Sequence, residues 1–364
     1  MKIAVDAKWF FSGPPGGRTY LRNILRTLSH IDDRNSYIFY VRPGDPVSDP
    51  AVSEDRVRWE RLSPSFSLIR VKISLTRALK KEKPDLVFTQ SLTPSDTGIP
   101  RIITVHDVLY KDFPSYFSCT ERIYFRFIDR SIKQADVIAC DSEYSRSRIL
   151  HWFDIDPAKI IVTPICVEKH MGVIEDEKAL SDIRKKYRLP ERFLLYVGRL
   201  NVRKNLPRLF RVLAESEIDI PLVCVGKKDW KADPLDEVIH KHKLENKVYF
   251  TGFVPDEDLP GMMNLAHAFV YIPFAEGFGI PPLEAMACGA PVITSNTTSL
   301  PEVAGNAAIL INPESDEELA DALKRIVEQN DLRGNLRKRG LQRAGMFRWE
   351  KSASILLDAF NRFR

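Results

Sequence analysis

The sequence lacks several features that would place it in a specialised class of protein. Its five cysteines, at positions 119, 140, 166, 224 and 288, are an odd number without a Cys-x-x-Cys pair. This usage argues against a disulfide framework or a zinc site and predicts a reducing, cytoplasmic environment. No apolar run approaches the roughly 18 residues of a membrane-spanning helix. Residues 2–6 already have the pattern of a buried strand, so we expect no secretory signal peptide at the start of this sequence.

The sequence also lacks a large excess of charge of either sign. The 54 Lys and Arg residues exceed the 49 Asp and Glu residues by only five, and the excess lies in the first half and the C-terminal tail. This is too weak for a nucleic-acid-binding surface, so we expect no nucleic-acid partner. It is compatible with contact with an anionic membrane surface.

What the chain does contain is a repeated alternation of strands and helices. Buried-strand patterns occur at residues 2–6, 36–41, 85–89, 101–106, 136–140 and 160–164, and again at 193–197, 221–225, 247–251, 268–272, 290–294 and 307–311. Helical patterns occur at 68–82, 118–134, 143–152, 205–215, 233–243, 256–266, 282–288, 316–329, 331–344 and 349–363. Such alternation predicts parallel sheets covered on both faces. With 364 residues, the chain is predicted to be an α/β protein with two doubly wound domains.

One segment, residues 276–287, organises the functional interpretation. It follows the strand pattern 268–272, carries a glycine on either side of Phe278, and continues into an Ala/Met-rich helix. Two prolines occupy the first helical turn, where a missing backbone N–H removes no hydrogen bond. The segment therefore predicts a strand, a tight glycine loop and a helix N-terminus, whose free N–H groups and partial positive charge suit a phosphate.

Two carboxylates bracket this loop, Glu276 before it and Glu284 in the first turn of the helix that follows. Because a carboxylate beside a phosphate would repel it, we expect both side chains to bind hydroxyl groups. An anion site with hydroxyl acceptors on either side suits a sugar nucleotide. The alternative interpretation is an ordinary strand–loop–helix unit without a ligand.

Together with Gly-Ala-Pro-Val at 289–292 and Ser-Leu-Pro-Glu-Val at 299–303, the segment resembles the signature of the family 4 retaining glycosyltransferases, which have the GT-B fold. The resemblance implies two Rossmann-like domains facing across a cleft. It implies that Glu284 binds the ribose hydroxyls and that Glu276 binds hydroxyls of the transferred sugar. The backbone N–H groups of Phe278 and Gly279 would then help to bind the diphosphate.

The same resemblance implies the division of the chain. We predict an acceptor-side domain at residues 1–168 and a nucleotide-sugar-binding domain at residues 169–346. The segment 347–364 resembles the start and body of the last helix of GT-B enzymes, which crosses back onto the first domain.

Two basic residues follow the first strand of the predicted second domain. Arg199 ends the strand pattern and Lys204 opens the next helix. A guanidinium and an ammonium on one loop suit a diphosphate whose charge must be held while it leaves. The family has an Arg and a Lys at these matching positions that clamp the donor pyrophosphate. Arg203, beside Lys204, is interpreted as an ordinary solvated charge.

A histidine ends a strand of the predicted first domain, in the run Thr104-Val105-His106-Asp107. Taken alone, such a histidine more often satisfies a hydrogen bond in the core. The resemblance instead implies that His106 contacts the transferred sugar near its reacting carbon. Asp107 would orient it or cap the next segment.

Two less specific motifs complete the predicted site. Gly16 and Gly17 end a glycine-rich loop, residues 12–17, which is predicted to lead into an amphipathic helix. The loop does not match the G-x-G-x-x-G pattern of a dinucleotide site. The resemblance places them beside the donor phosphate and the acceptor, and a plain tight turn is the alternative. Phe253 and Val254 resemble the segment that holds the nucleobase through backbone groups.

Asp-x-Asp spacings occur at 154–156 and 256–258, but each adjoins a proline and is interpreted as a turn or a helix start. We predict no metal and no cofactor, since GT-B enzymes generally hold the leaving diphosphate with basic residues.

These features predict a retaining glycosyltransferase that moves a hexose from a nucleotide sugar to a hydroxyl of a glycan or polyprenyl-linked acceptor. The signature looks most like bacterial mannosyltransferases of polysaccharide assembly, which favours GDP-mannose as donor. A UDP-sugar is the alternative donor, and a GT-B sugar-nucleotide epimerase or a non-catalytic binding subunit are alternative functions. The helical pattern at 70–81 has basic and apolar faces. It leaves open both a plain solvated helix and a peripheral contact with the inner membrane face.

Overall fold

The computed structural model describes residues 1–227 and 234–364. These residues divide into two units, one formed by Met1–Cys166 with Arg348–Arg364 and the other by Val167–Phe347. Each unit contains a sheet in which the neighbouring strands are parallel. The two parallel sheets confirm the predicted α/β class.

The first unit has a seven-stranded sheet with the order β3-β2-β1-β4-β5-β6-β7. Its strands are β1 (Lys2–Asp6), β2 (Ser36–Val41), β3 (Val57–Arg61), β4 (Leu86–Gln90), β5 (Arg101–Thr104), β6 (Val137–Cys140) and β7 (Ile160–Val162). The helices between them are α1 (Pro15–Ile31), α2 (Ser67–Ile69), α3 (Thr76–Glu82), α4 (Leu109–Asp112), α5 (Cys119–Gln134) and α6 (Glu143–Trp152). A π-helical stretch, Arg70–Leu75, joins α2 to α3.

The second unit has a six-stranded sheet with the order β10-β9-β8-β11-β12-β13. Its strands are β8 (Leu194–Val197), β9 (Leu222–Val225), β10 (Val248–Gly252), β11 (Ala268–Tyr271), β12 (Val292–Ser295) and β13 (Ala308–Ile311). Its helices are α7 (Glu177–Lys186), α8 (Leu206–Glu215), α9 (Pro234–Lys241), α10 (Leu259–Leu265), α11 (Ile280–Ala287), α12 (Leu300–Ala304), α13 (Asp316–Glu328) and α14 (Asn330–Ala344). Residue 233, the first of the predicted helix 233–243, lies outside the described residues.

The final helix, α15 (Trp349–Asn361), belongs to the first unit and packs against α1. Ser352 Oγ donates a hydrogen bond to the carbonyl oxygen of Pro164, 2.7 Å away. The ring of Phe360 meets the edge of the Phe88 ring with centroids 5.6 Å apart. The apolar face of α15 therefore completes the core of the first unit.

The sequence patterns missed β3. This strand carries three charged residues among five and lies at the edge of its sheet, where it pairs with β2 alone. An edge strand is buried less than a central one, so it lacks the continuous apolar run by which the other parallel strands were identified.

A fully buried arginine holds the carboxyl ends of three strands in the first sheet. Arg70 donates from Nε to Asp6 Oδ1 at 2.9 Å and from Nη2 to the carbonyl oxygen of Tyr40 at 2.8 Å. Its other terminal nitrogen donates to the carbonyl oxygen of Leu62. These bonds satisfy a charge that could not otherwise be buried, and they order the edge of the sheet where ligands bind in doubly wound folds.

In the part of the chain that the structure describes, no helix is both long enough and apolar enough to cross a bilayer.

Candidate functional site

The loop between β11 and α11 requires glycine at its last position. Gly279 is the N-cap residue of α11 and has a φ of 105°. A Cβ atom added there would lie 2.6 Å from Leu300 Cδ2. Both the backbone conformation and the close approach therefore exclude a side chain. No side chain caps α11, so its first N–H groups are left for solvent or a ligand.

Glu276, Lys204 and Tyr271 form one hydrogen-bonded group in front of this helix. Lys204 Nζ donates to Glu276 Oε1 and to Tyr271 Oη, 2.6 Å away. Tyr271 Oη donates to Glu276 Oε1 at 3.0 Å. Burial, and then the charge of Glu276, holds the pKa of Tyr271 well above its ordinary value. The Tyr271 phenol therefore stays protonated, and its hydrogen bond to Glu276 holds the carboxylate in place.

A second loop, residues 297–299, fixes the backbone around Glu276. Thr298 Oγ1 accepts a hydrogen bond from the Glu276 N–H at 3.1 Å. Ser299 Oγ lies 2.9 Å from the carbonyl oxygens of both Glu276 and Phe278. The Phe278 ring is buried and meets Phe347 edge-on, with centroids 5.8 Å apart. The Phe278 side chain is thus part of the core, and its backbone N–H is what it offers to a ligand.

Glu284 has a perturbed carboxyl group with no hydrogen bond to any other described residue. It is partly buried and lies in the second turn of α11, not in the first turn as predicted, because the helix already begins at Ile280. Burial raises the pKa of its carboxyl to about 7, and the negative charges of Glu168 and Asp256 act in the same direction. An unpaired carboxylate in such a place is costly for the folded protein. A pair of ligand hydroxyl groups would satisfy it.

Arg199, Phe253 and Val254 follow the carboxyl ends of β8 and β10. Arg199 is exposed, and within the described residues its side chain has no hydrogen bond or ion pair to Lys204 or Glu276. Phe253 is 64% exposed and has Lys227 Nζ 5.3 Å from its ring centroid, whereas Val254 is buried. The structure thus brings Lys204 and Glu276 together, and it places Arg199 and Phe253 at the same edge of the sheet with their side chains in solvent.

In the first unit, His106 is oriented by an aspartate that the sequence patterns did not identify. His106 Nδ1 lies 2.7 Å from Asp141 Oδ2, and the His106 Nε2 atom is buried with no partner among the described residues. Tyr20 packs its ring against the edge of the imidazole, with centroids 5.4 Å apart. Burial alone would lower the pKa of His106, but the Asp141 carboxylate outweighs it and raises the pKa above its ordinary value.

Asp107, by contrast, caps the next segment, which was one of its two predicted roles. Its Oδ1 accepts a hydrogen bond from the Leu109 N–H at 3.0 Å. It contributes less to the raised pKa of His106 than Asp141 does.

The glycine-rich loop differs from the prediction in where the helix begins. α1 begins at Pro15, so Gly16 and Gly17 lie in its first turn instead of in the loop. A Cβ at Gly17 would lie 3.0 Å from the Trp9 ring, and the Gly17 carbonyl oxygen accepts from Gln90 Nε2 at 3.2 Å. Pro15 explains the earlier start, because its fixed φ suits a first helical position.

Two parts of this site could have been found only with the fold in hand. Tyr271 is the last residue of an apolar strand and has the pattern of a core residue. Asp141 follows β6, and its sequence neighbourhood has no motif that links it to His106. Tyr271 meets Lys204 because β11 pairs with β8, and Asp141 meets His106 because β6 pairs with β5.

No group of three or more His, Cys, Asp or Glu side chains in the described ranges, 1–227 and 234–364, has the arrangement of a metal site.

Comparison with known families matches most of the chain in two parts. The model of the family described as "Glycosyltransferase Family 4" matches residues 15–169. The model described as "Glycosyl transferases group 1" matches residues 181–343. The first match ends at residue 169, three residues after the first unit's Cys166, and the second match begins at residue 181, within the second unit.

Among curated proteins, the chain is similar to O-antigen chain mannosyltransferase B of Escherichia coli, with 30% identity over 71% of this chain and 69% of that protein. It is 31% identical to O-antigen chain mannosyltransferase RfbU of Salmonella typhimurium over 63% of this chain and 61% of that one. It also matches the serotype-specific mannosyltransferase WbdA of E. coli, of which it spans 29% at 28% identity.

Among solved structures, the chain is similar in fold to a sucrose-phosphate synthase from Thermosynechococcus elongatus. The TM-score is 0.78 at 20% identity, over 100% of this chain and 98% of that one. It is similar to Anabaena HepE in complex with UDP and glucose, with a TM-score of 0.74 at 20% identity and full coverage of both chains. These likenesses establish the fold and, at this identity, nothing finer.

The raised pKa of Glu284 predicts a pH-dependent stability. Because the pKa of this carboxyl rises from 4.5 to about 7 on folding, the folded state binds the proton more tightly than the unfolded state does. The resulting contribution to the free energy of unfolding is fully present below pH 4.5. This contribution is lost as the pH rises to about 7. The free energy of unfolding of Glu284→Gln, relative to that of the wild type, should therefore rise between pH 4.5 and about 7. At higher pH the difference between the two proteins should stay constant. Urea unfolding at a series of pH values measures the effect. Glu328→Gln, at an exposed position of α13, is the matched control. A Glu284→Gln difference that does not change with pH would contradict the prediction.

The contact between His106 and Asp141 predicts a specific change in titration. Asp141→Asn keeps the size of the side chain but removes the charge that offsets burial, so the pKa of His106 should fall below 6.5, its ordinary value. Nuclear magnetic resonance titration of the imidazole resonances measures it. Asp107→Asn, which removes a charge that acts less strongly, should shift the titration less. Identical His106 titrations in Asp141→Asn and the wild type would refute the assigned orientation.

Proposed function

This chain belongs to glycosyltransferase family 4, and on that premise we propose that it transfers mannose from GDP-mannose to a hydroxyl group of a glycan or polyprenyl-linked acceptor, with retention of configuration. The observation that carries the proposal is the group formed by Lys204, Glu276 and Tyr271 beside the uncapped start of α11. It sets a cation, a carboxylate and free backbone N–H groups side by side. A sugar diphosphate needs these three kinds of partner.

On the donor side, we assign separate roles to the two carboxylates. Glu276 binds hydroxyls of the transferred sugar, and Glu284 binds the ribose hydroxyls. The absence of any protein hydrogen bond to Glu284 among the described residues supports this assignment. Glu284 accepts hydrogen bonds from hydroxyls best as the carboxylate. The affinity for the nucleotide sugar should therefore rise as the pH passes through about 7, the pKa of the Glu284 carboxyl.

The diphosphate is held by Lys204, by Arg199 and by the N–H groups of Phe278 and Gly279. The charge of Lys204 is balanced by its ion pair with Glu276. An ammonium group has three N–H donors, so Lys204 can bind a phosphate oxygen while keeping its bond to Glu276. Phe253, exposed at the end of β10, and the backbone near Val254 are proposed to lie beside the nucleobase.

Retention of configuration is proposed to follow from attack on the face that the diphosphate leaves. The acceptor oxygen forms the new bond to the anomeric carbon as the bond from that carbon to the phosphate oxygen breaks. The acceptor proton passes to the departing phosphate. Glu276 is held by both Lys204 and Tyr271, which supports a binding role for it instead of covalent attack on the sugar. A stable glycosyl adduct on Glu276 during slow turnover would overturn this mechanism.

GDP-mannose is preferred over a UDP-sugar because of the curated relatives. Two O-antigen chain mannosyltransferases match at 30% and 31% identity, whereas the structure that binds UDP and glucose matches at 20%. The same relatives favour a glycan acceptor. His106 is proposed to contact the transferred sugar, and Gly16 and Gly17 to lie beside the acceptor.

A peripheral membrane contact would bring the enzyme to a polyprenyl-linked acceptor. Phe66, Ile69 and Ile73 are 64%, 46% and 45% exposed. Phe66 directly precedes α2, Ile69 ends α2 and Ile73 lies in the π-helical stretch that follows, so the three exposed side chains lie along one short continuous segment. Lys72, on the same helix, has its pKa lowered by burial and then by the positive charge of Arg130. Exposed apolar side chains beside clustered cations suit an anionic bilayer surface.

Replacing Phe66, Ile69 and Ile73 together with Ser should reduce co-sedimentation with vesicles that contain anionic phospholipid. The apolar side chains that enter the bilayer would be lost while the basic residues remain. Met346→Ser, at an exposed apolar position of the second unit, serves as the control. Binding of the triple variant at the wild-type level would exclude this surface.

Thermal stabilisation by GDP, UDP and ADP, measured in parallel, tests the donor. A ligand at 100 times its dissociation constant stabilises the folded state by about 2.7 kcal/mol. GDP should raise the melting temperature most. A larger shift with UDP would transfer the assignment to a UDP-sugar.

Glu276→Gln in the same assay separates binding from transfer. It should keep nearly all of the stabilisation by the nucleotide, because its proposed contact is to the sugar. It should lose transfer by about 100-fold or more, because a misplaced reacting group costs at least this much. Glu328→Gln should behave as the wild type. Normal transfer by Glu276→Gln would refute the proposed roles.

A further inference from the structure

A cavity lies in the second unit, at the amino ends of the strands. Its volume is about 290 Å³. Arg192, His267 and Pro291 line it from the segments just before β8, β11 and β12, and Arg333 and Arg337 line it from α14. Glu276 and Lys204 follow strands of the same sheet instead. The cavity is therefore at the opposite edge of the sheet from the proposed donor site.

Three arginines line the cavity, and their guanidinium groups are held by neutral acceptors. Arg333 Nη1 donates to the carbonyl oxygens of Ile326 and Val327 at 2.8 and 3.0 Å. Arg337 Nη1 donates to the carbonyl oxygen of Gly289 at 2.9 Å. These acceptors are neutral and position the guanidinium groups without cancelling their charge.

Arg192 is held in the same way. Its Nη2 atom lies 3.3 Å from His267 Nε2 and 3.4 Å from the carbonyl oxygen of Val327. Across residues 1–227 and 234–364, none of the three cavity arginines is ion-paired. Glu191 also lines the cavity, but its single charge would leave a net charge of about +2 against three guanidinium groups.

The positive groups are close enough to repel one another. Burial lowers the pKa of His267, and the charges of Arg333 and Arg192 lower it further. Burial, and then Arg192, lowers the pKa of Arg333 as well. An anion in the cavity would relieve this repulsion, because an opposite charge favours the protonated forms of both groups.

One position in the wall is occupied by glycine without a packing reason. Gly334 lies within α14, and a Cβ atom added there would meet no atom within 4 Å. Glycine inside a helix costs roughly 0.5–1 kcal/mol relative to alanine. Its place between Arg333 and Arg337 leaves the mouth of the cavity clear between two guanidinium groups.

We propose that this cavity binds a phosphate or diphosphate group at a site separate from the donor site. Arginine presents several N–H donors in a planar fork that matches phosphate oxygens, and three guanidinium groups line this cavity. The volume is at the lower limit of the roughly 300–1,000 Å³ usual for small-molecule sites, which suits a phosphate-sized group better than a whole sugar nucleotide. The group can come from a free phosphate compound or from the head group of a phospholipid.

The imidazole of His267 reports directly on occupancy. Inorganic phosphate and pyrophosphate are titrated separately into the whole protein, followed by nuclear magnetic resonance of the histidine side chains. Each is expected to shift the His267 resonances and to raise its pKa. Vesicles of phosphatidylcholine with and without an anionic phospholipid form the second arm. A shift with the small anions assigns a free phosphate ligand, and a shift only with anionic vesicles assigns a head group.

Two independent variants test the arginine cluster. The double change Arg192→Gln with Arg337→Gln should weaken anion binding at least tenfold. Gly334→Glu should do the same, because it places a competing carboxylate in the mouth while improving the helix. Arg339→Gln, at an exposed position of α14 outside the cavity, is the matched control.

Lys204→Gln keeps this test independent of the proposed function. It alters the donor site and should leave the His267 shift unchanged. If neither the small anions nor the anionic vesicles move His267, the proposal is wrong. It is equally wrong if the shift persists at full affinity in both cavity variants while these remain folded by circular dichroism.

Discussion

Parallel strand pairing is the constraint on which the functional organisation of this chain depends. Because neighbouring strands in each sheet run in one direction, all the strand ends of one kind lie at one edge. Glu276, Lys204 and Arg199 follow strands of the second sheet and share its carboxyl edge. Arg192 and His267 precede strands of the same sheet and share the other edge. Residues far apart in the sequence therefore form two separate groups, one at each edge of the second sheet.

The two edges of the second sheet differ in how charge is balanced. At the carboxyl edge Lys204 is paired with Glu276, and Tyr271 binds both. A sugar diphosphate can replace solvent there without leaving either charge unpaired. At the amino edge the arginines bind only neutral acceptors among the described residues, so their positive charges are positioned without being neutralised by those bonds. Glu284, with its raised pKa, is the acidic counterpart, because its carboxylate has no hydrogen-bond partner within residues 1–227 and 234–364.

Sequence patterns identified most of the fold because the central strands are buried on both faces. Their apolar runs are continuous, and the intervening helices are amphipathic. The edge strand β3 was missed because it lacks that burial. The start of α1 was placed too late because the run of glycines suggested a loop, although Pro15 is well suited to begin a helix. Local patterns thus predict a strand reliably where both of its faces are buried. They are less reliable for an edge strand and for a helix start that depends on one residue.

By itself, the sequence determined the α/β class, the family and the strand–loop–helix segment that carries Glu276 and Glu284, since each depends on residues close together in the chain. Only the tertiary structure decided which side chains are partners. The contacts of Glu276 with Lys204, of His106 with Asp141 and of Arg192 with His267 each join segments separated by 35 or more residues. Such contacts, together with the burial that shifts the pKa of Glu284, arise when strands pair and helices pack. No local pattern records the distance between two segments that are brought together only by the folded sheet.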